Sequence, residues 1–188
     1  MEPTYLFLDC EWADVLGAEL VSLALVSADG EHRFYAERDP LPEQPTDFVR
    51  GVVYPLLDRG STALPDTEFT AGLRRFLSDV PAPCVLFDYP NDGALLRYAL
   101  AGFELPMAVA DSCGPQPLQL VTTRLAREGL VAVLLEDWFQ AHPVAAARRH
   151  HALVDAEALR QAWCAATGRQ AAPWSPMGHL LREPPSLP

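Results

Sequence analysis

Runs of apolar residues separated by turn-forming residues are the first regular feature of this chain. Residues 5–10 form a nearly continuous apolar run rich in aromatic side chains, which is typical of a strand buried on both faces. Residues 19–27 and 31–37 predict two further strands, and Asp29-Gly30 between them is a hairpin turn signal. Shorter apolar runs predict strands at residues 84–87 and 107–110.

Helical periodicity appears in most of the remaining segments. Residues 66–80 repeat large apolar side chains at helical spacing after the start signal Pro65-Asp66, and Arg74-Arg75 is predicted to lie on the polar face of this helix. A second helix is expected from residue 90 to residue 101, where Gly102 would end it, and a last one over residues 151–167. Further helical segments are predicted at residues 46–57, 118–127 and 136–140.

This order of elements predicts an α/β fold. The expected architecture is a mixed sheet with an antiparallel β-hairpin at its edge, flanked by helices. At 188 residues the chain is long enough for one domain with a sizeable core. We expect that domain to span residues 1–170, and the prolines of residues 171–188 predict an irregular tail.

Composition narrows the possible functions. A formal net charge of -11 disfavours non-specific binding to DNA or to anionic membranes, although bound cations reverse the field of a local acid cluster. The four cysteines lie far apart, so neither a zinc site nor a disulfide framework is expected, and Cys10 is predicted to pack in the core. No apolar run is long enough to span a bilayer, and no signal peptide is apparent. We therefore expect a cytoplasmic protein without a membrane partner.

The first candidates for functional residues are Asp9 and Glu11, at the end of the first strand. Residues i and i+2 of a strand face the same way, so both carboxylates are predicted to project toward one point. Taken alone, such a pair is at least as well explained by two solvated acids where a strand meets a loop.

Asp92 is the second candidate. It follows the strand at residues 84–87 and falls in the first turn of a helix, where the helix dipole favours an acid even without any catalytic use. Asp88 is a competitor at the end of the same strand. We favour Asp92, because the leucines that follow it would anchor its helix.

The third candidate is the pair of His150 and Asp155. Five residues of α-helix turn through about 500°, which would leave these side chains roughly 140° apart. To reach one site, His150 must lie in the loop before the helix and Asp155 inside it. His151 is the rival histidine, and its alternative role is packing or capping at the helix start.

Together these motifs resemble the DEDDh 3′-5′ exonucleases of the ribonuclease-H-like superfamily. The resemblance covers residues 4–167 and is most specific in the segment His-x-Ala-Leu-x-Asp-Ala at residues 150–156. Residues 19–23, Asp29-Gly30 and Tyr35 also resemble the early strands of small bacterial exoribonucleases of the exoribonuclease AS type. Trp12 stands where many members carry a threonine, and a His-Asn lead-in to the second motif is replaced by Asp88-Tyr89-Pro90-Asn91.

The resemblance implies a function and a role for each motif. It implies a ribonuclease-H-like fold and hydrolysis of single-stranded RNA, or DNA, from its 3′ end. Two Mg²⁺ or Mn²⁺ ions would be held by carboxylates, and His150 would be the general base. Trp12 and Arg149 are candidates for substrate binding, although core packing and solvent exposure respectively also explain them, and a homodimer is possible. The implied metal ligands are Asp9, Glu11, Asp92 and Asp155.

Two other functions compete with this one. A phosphohydrolase of the haloacid-dehalogenase type also begins with a strand ending in Asp, but it needs a second Asp where this chain has Glu11, and a lysine, which this chain lacks. The other is a catalytically silent, nuclease-like protein that serves binding or assembly. The complete acid set with its histidine argues against that alternative.

Overall fold

Six strands form one mixed sheet in the spatial order β4-β3-β2-β1-β5-β6. In the computed structural model, which describes residues 2–117, 120–125 and 128–178, β1, β2 and β3 are antiparallel neighbours. β4 pairs parallel with β3, and β5 and β6 run parallel to β1 on its other side. The strands are β1 (Thr4–Trp12), β2 (Leu20–Ser27), β3 (Arg33–Arg38), β4 (Ala63–Leu64), β5 (Pro83–Phe87) and β6 (Val121–Arg124).

Helices cover both faces of this sheet, as the order of elements predicted. A π-helical turn at Val49–Val53 leads into the short α1. Helices α2 and α3 pack on one face, and α5 and α7 pack together on the other. The helices are α1 (Tyr54–Leu56), α2 (Asp66–Asp79), α3 (Pro90–Ala101), α4 (Met107–Ser112), α5 (Leu130–Ala141), α6 (Pro143–Ala146) and α7 (Ala152–Ala166).

Strand β1 supplies both faces of the core by alternating its side chains. Leu6, Leu8 and Cys10 lie in the cluster with α2 and α3, so Cys10 packs in the core as predicted. Phe7 lies in the cluster with α7. Asp9 and Glu11 follow Phe7 at two-residue intervals, and this register directs them toward the side where α7 lies.

Two predicted elements are wrong. Residues 107–110 form helix α4 rather than a strand: Pro106 precedes the first turn, and its carbonyl accepts hydrogen bonds from Val109 N (2.8 Å) and Ala110 N (3.0 Å). A four-residue apolar run cannot by itself distinguish the two structures. The helix predicted at residues 118–127 is a strand over Val121–Arg124, while residues 118, 119, 126 and 127 lie outside the described residues. Its three β-branched residues suit the edge position beside β5.

Arg74 also departs from its prediction, because it is buried instead of lying on the polar face of α2. Its guanidinium donates to the backbone carbonyl oxygens of Leu100, Ala110 and Gly114. Arg74 therefore ties α2 to the chain on either side of α4. Helical periodicity places a residue on a face but does not show which backbone carbonyls will meet it.

The described part of the predicted tail lies on the body of the protein. Ala172 is buried and Trp174 is partly buried against Leu134 of α5 and Ala162 of α7. Residues 179–188 lie outside the described residues. Within the described ranges, each helix is too short or too polar to cross a membrane.

Candidate metal centre

An acidic cavity of about 400 Å³ opens where β1 and β5 end. These two strands are parallel neighbours, so their carboxyl ends meet at the same edge of the sheet. Helix α7 contributes from the side, which brings the start and the end of the chain together. The predicted site residues Asp9, Glu11, Trp12, Asp92, Arg149, His150 and Asp155 all line this cavity, and so does Asp88.

The carboxyl groups of Asp9 and Glu11 both have raised pKa values. Asp9 is half-buried with its Oδ2 atom shielded from water, and burial, followed by the charges of Asp155 and Asp92, raises its pKa well above the ordinary value. Burial followed by the same two acids raises the pKa of Glu11 to about 8. Among the described residues, no group forms a hydrogen bond with the buried Asp9 Oδ2.

Asp155 and His150 lie as the helical geometry requires. Helix α7 begins at Ala152, so Asp155 is in its first turn and His150 is in the preceding turn. The backbone of His150 is left-handed (φ 75°), and its N–H donates to Asp155 Oδ2 at 3.0 Å. Burial raises the pKa of Asp155 to about 7 despite this hydrogen bond, and Asp155 Oδ1 has no partner within the described ranges.

Glu11, His150 and Asp155 form the tightest group of possible ligands. One ligand atom from each lies within 4.8 Å of the other two. Burial and the neighbouring Arg149 lower the pKa of His150, which favours the neutral imidazole. The ring of Phe48 meets the imidazole edge-on, with 5.0 Å between centroids.

Asp92 and Asp88 both remain candidates for the last carboxylate. Asp92 is 1% exposed and lies in the first turn of α3, while Asp88 directly follows β5. Both charges raise the pKa of Asp9, so both are electrostatically coupled to the cluster. Gly93 allows α3 to start this close to β5, because a Cβ there would lie 2.5 Å from Cζ of Phe87.

The donor set fits hard divalent cations. Buried carboxylates that repel one another and hold unpartnered oxygen atoms are stabilised by a cation placed between them. Oxygen ligands suit Mg²⁺ or Mn²⁺. Cys10 also borders the cavity, but it belongs to the buried core cluster with α2 and α3. Within the described part of the chain, Arg149 is the one arginine that lines this cavity. Its guanidinium forms two hydrogen bonds to Glu136, one of 2.9 Å, and lies over the ring of Phe139.

Aromatic and apolar side chains form the rest of the cavity wall. Trp12 is partly buried and packs against Tyr89, with 5.3 Å between ring centroids. Phe48 is 51% exposed at the cavity. The sequence marked Trp12 but gave no signal for Phe48 or Tyr89, since nothing in their local pattern distinguishes a wall residue from a core residue.

A rim loop at residues 14–18 was also missed by the sequence analysis. Asp14 lines the cavity and accepts hydrogen bonds from the N–H groups of Leu16, Ala18 and Glu19. Asn91 Nδ2 donates to the carbonyl oxygens of Leu16 (3.0 Å) and Gly17 (3.2 Å). Asp is common at the start of a turn, because its carboxylate can accept hydrogen bonds from backbone N–H groups that follow it. The contact between this loop and Asn91, by contrast, could not be predicted without the fold.

Comparisons with known proteins add no assignment. Neither a scan against models of protein families nor a search of the curated proteins matched this chain.

Proposed function

We propose that the protein is a metal-dependent 3′-5′ exonuclease that acts on single-stranded nucleic acid, with RNA as the expected substrate. The observation that carries this proposal is the convergence of Asp9, Glu11, Asp155 and His150 from opposite ends of the chain in one cavity. Their motifs are those that resemble the DEDDh exonucleases. The six-stranded mixed sheet flanked by helices is compatible with a ribonuclease-H-like fold, which belongs to the same proposal.

The carboxylates are proposed to hold two Mg²⁺ or Mn²⁺ ions. Asp9, Glu11 and Asp155 would be ligands, with Asp92, or Asp88 in its place, completing the set. When bound, such ions would lower the pKa of a coordinated water molecule and would stabilise negative charge on a phosphate group. The buried, unpartnered oxygen atoms of Asp9 and Asp155 support this role.

His150 is proposed as the general base. A neutral imidazole can take a proton from the attacking water, and the lowered pKa of His150 favours this neutral form. The turn before α7 places its side chain at the cavity without making it part of the helix that carries Asp155. His151 is less suited to this role, because it is 1% exposed and does not line the cavity.

The cavity wall supports a nucleotide as the substrate. Aromatic rings bind bases by stacking, and Trp12, Tyr89 and Phe48 are available beside the acids. Arg149 could bind a phosphate group if its guanidinium released the carboxylate of Glu136. A cytoplasmic setting and a homodimer remain predictions of this proposal.

The test uses RNA and DNA oligomers with free or blocked 3′ ends, with and without Mg²⁺ or Mn²⁺. We expect a ladder of products from free 3′ ends that requires metal and is absent for Asp9→Asn. The matched control is Asp111→Asn, which changes an exposed acid of α4 and should retain activity. Equal activity of the wild type and Asp9→Asn would contradict the proposed role of Asp9, and no activity in either protein would favour the silent binding protein.

A further inference from the structure

The turn at residues 148–151 contacts the carboxylate of Asp58 on both sides of His150. Arg148 Nη2 donates to Asp58 Oδ1 at 2.7 Å. His151 Nε2 lies 3.4 Å from Asp58 Oδ2, a close contact without hydrogen-bond geometry. Between these two contacts, Arg149 and His150 line the acidic cavity, and Asp58 does not. One side chain outside the cavity therefore hydrogen-bonds one end of the segment that presents His150 and packs against the other.

The backbone of Asp58 is fixed to the sheet by Glu37, a completely buried residue of β3. Glu37 Oε1 accepts hydrogen bonds from Tyr35 Oη (2.6 Å) and from Asp58 N (2.7 Å). Glu37 Oε2 accepts one from Arg59 N at 3.0 Å. We call Tyr35, Glu37, Asp58, Arg59 and His151 the Glu37 network. Through it, the position of Asp58 is set by the core of the protein.

His151 joins the same network through its ring face. Its imidazole stacks on Tyr35 with 4.7 Å between centroids, and the side chain is 1% exposed. Burial, and next the charge of Arg148, lowers the pKa of His151. The residue after His150 is thus held by packing as well as by its contact with Asp58.

The conformation of His150 requires such support. A non-glycine residue with φ of 75° has a strained backbone, which persists only where the surrounding contacts hold it. The turn itself supplies His151 N donating to Arg148 O at 3.1 Å, and His150 N donating to Asp155 Oδ2 at 3.0 Å. The contacts of Asp58 with Arg148 and His151 add to these two hydrogen bonds.

We propose that Asp58 is a positioning residue that sets the orientation of His150, which rests on the proposed function of His150 as the general base. The side chains of the Arg148–Asp58 pair are 41% and 44% exposed, and ion pairs this exposed contribute little to stability. Its effect is therefore expected in the geometry of the site more than in folding. A displacement of about 1 Å can lower a reaction rate by about 100-fold.

The first measurement compares the kinetics of Asp58→Ala with those of the wild type. We expect kcat to fall by about 100-fold, while KM and the affinity for Mn²⁺ change by less than about threefold. Asp66→Ala is the matched control, because Asp66 also pairs with an arginine, Arg38, at 2.8 Å and lies outside the Glu37 network. That control should keep the kcat of the wild type.

The second measurement does not depend on activity. In metal-free protein, hydrogen exchange at the N–H groups of His150 and His151 should accelerate at least tenfold in Asp58→Ala and stay unchanged in Asp66→Ala. If the wild type shows no nuclease activity, the proposed function fails and hydrogen exchange alone decides the role of Asp58. Wild-type exchange at both groups, or wild-type kcat in Asp58→Ala, would overturn the proposal.

Discussion

The acidic cavity and the Glu37 network are neighbouring regions that differ in how their carboxylate oxygen atoms are hydrogen-bonded. Glu37 is fully buried, and both of its oxygen atoms accept hydrogen bonds. In the cavity, by contrast, Asp9 Oδ2 and Asp155 Oδ1 are buried with no partner in the described part of the chain, and the acids repel one another. Burial with full hydrogen bonding builds structure, whereas burial without it leaves a site that a cation can complete.

The two adjacent histidines belong to different regions: His150 lines the acidic cavity, and His151 belongs to the Glu37 network. Replacing each of them separately by Ala should give the largest difference between the two regions. His150→Ala should lower turnover by about 10²–10⁴-fold and leave Mn²⁺ binding largely intact, because it removes the proposed proton acceptor. His151→Ala should lower the melting temperature, because it empties a buried space beside Tyr35. Kinetics and thermal unfolding of both variants check this. Loss of turnover in His151→Ala alone, with an active His150→Ala, would reassign the base.

The same chemical change made in both regions should shift stability in opposite directions. Glu37→Gln should lower the melting temperature by about 5 °C or more, because it weakens charge-assisted hydrogen bonds worth about 1.5–3 kcal/mol each. Glu11→Gln should raise the melting temperature of the metal-free protein at pH 8, because it removes a charge that its surroundings disfavour. Shifts of the same sign in both variants would remove the distinction between the two regions.

The pH dependence of the Glu11→Gln effect follows from the pKa of Glu11. Folding raises this pKa from 4.5 to about 8, so the folded state binds more protons between these pH values. The stability of the wild type therefore falls as pH rises through this window, and the penalty is complete above pH 8. Glu11→Gln should match the wild type near pH 4.5 and exceed it at pH 8. Parallel curves for the two proteins between pH 4.5 and 8 would contradict this.

Much of the fold could be predicted because its signals are local. The apolar run of β1, the Asp29-Gly30 turn and the Gly102 end of α3 lie where the sequence indicated. Residues 107–110 and 118–127 could not be assigned correctly, since a short apolar run is ambiguous and an edge strand depends on the neighbour β5. The burial of Arg74 likewise depends on carbonyl groups far away in sequence.

The candidate site was predictable in its cavity-lining acids and histidine but not in its supports. Motif order indicated Asp9, Glu11 and Asp155, and helical rotation placed His150 outside α7. Asp58 is separated from Arg148 by 90 residues, and no local pattern relates the two. The residues that hold the site in place were therefore visible only after folding brought β3 and the turn before α7 together.

Calorimetric titration of Mn²⁺ tests the account of the acidic cavity most directly. The metal-free wild type should bind Mn²⁺ at two sites and release protons, because carboxyl groups with raised pKa values must ionise to become ligands. Asp9→Asn should lose at least one site, and Glu37→Gln should keep both. Equal binding by the wild type and Asp9→Asn, or no binding by either, would contradict the claim that these buried acids form a metal centre.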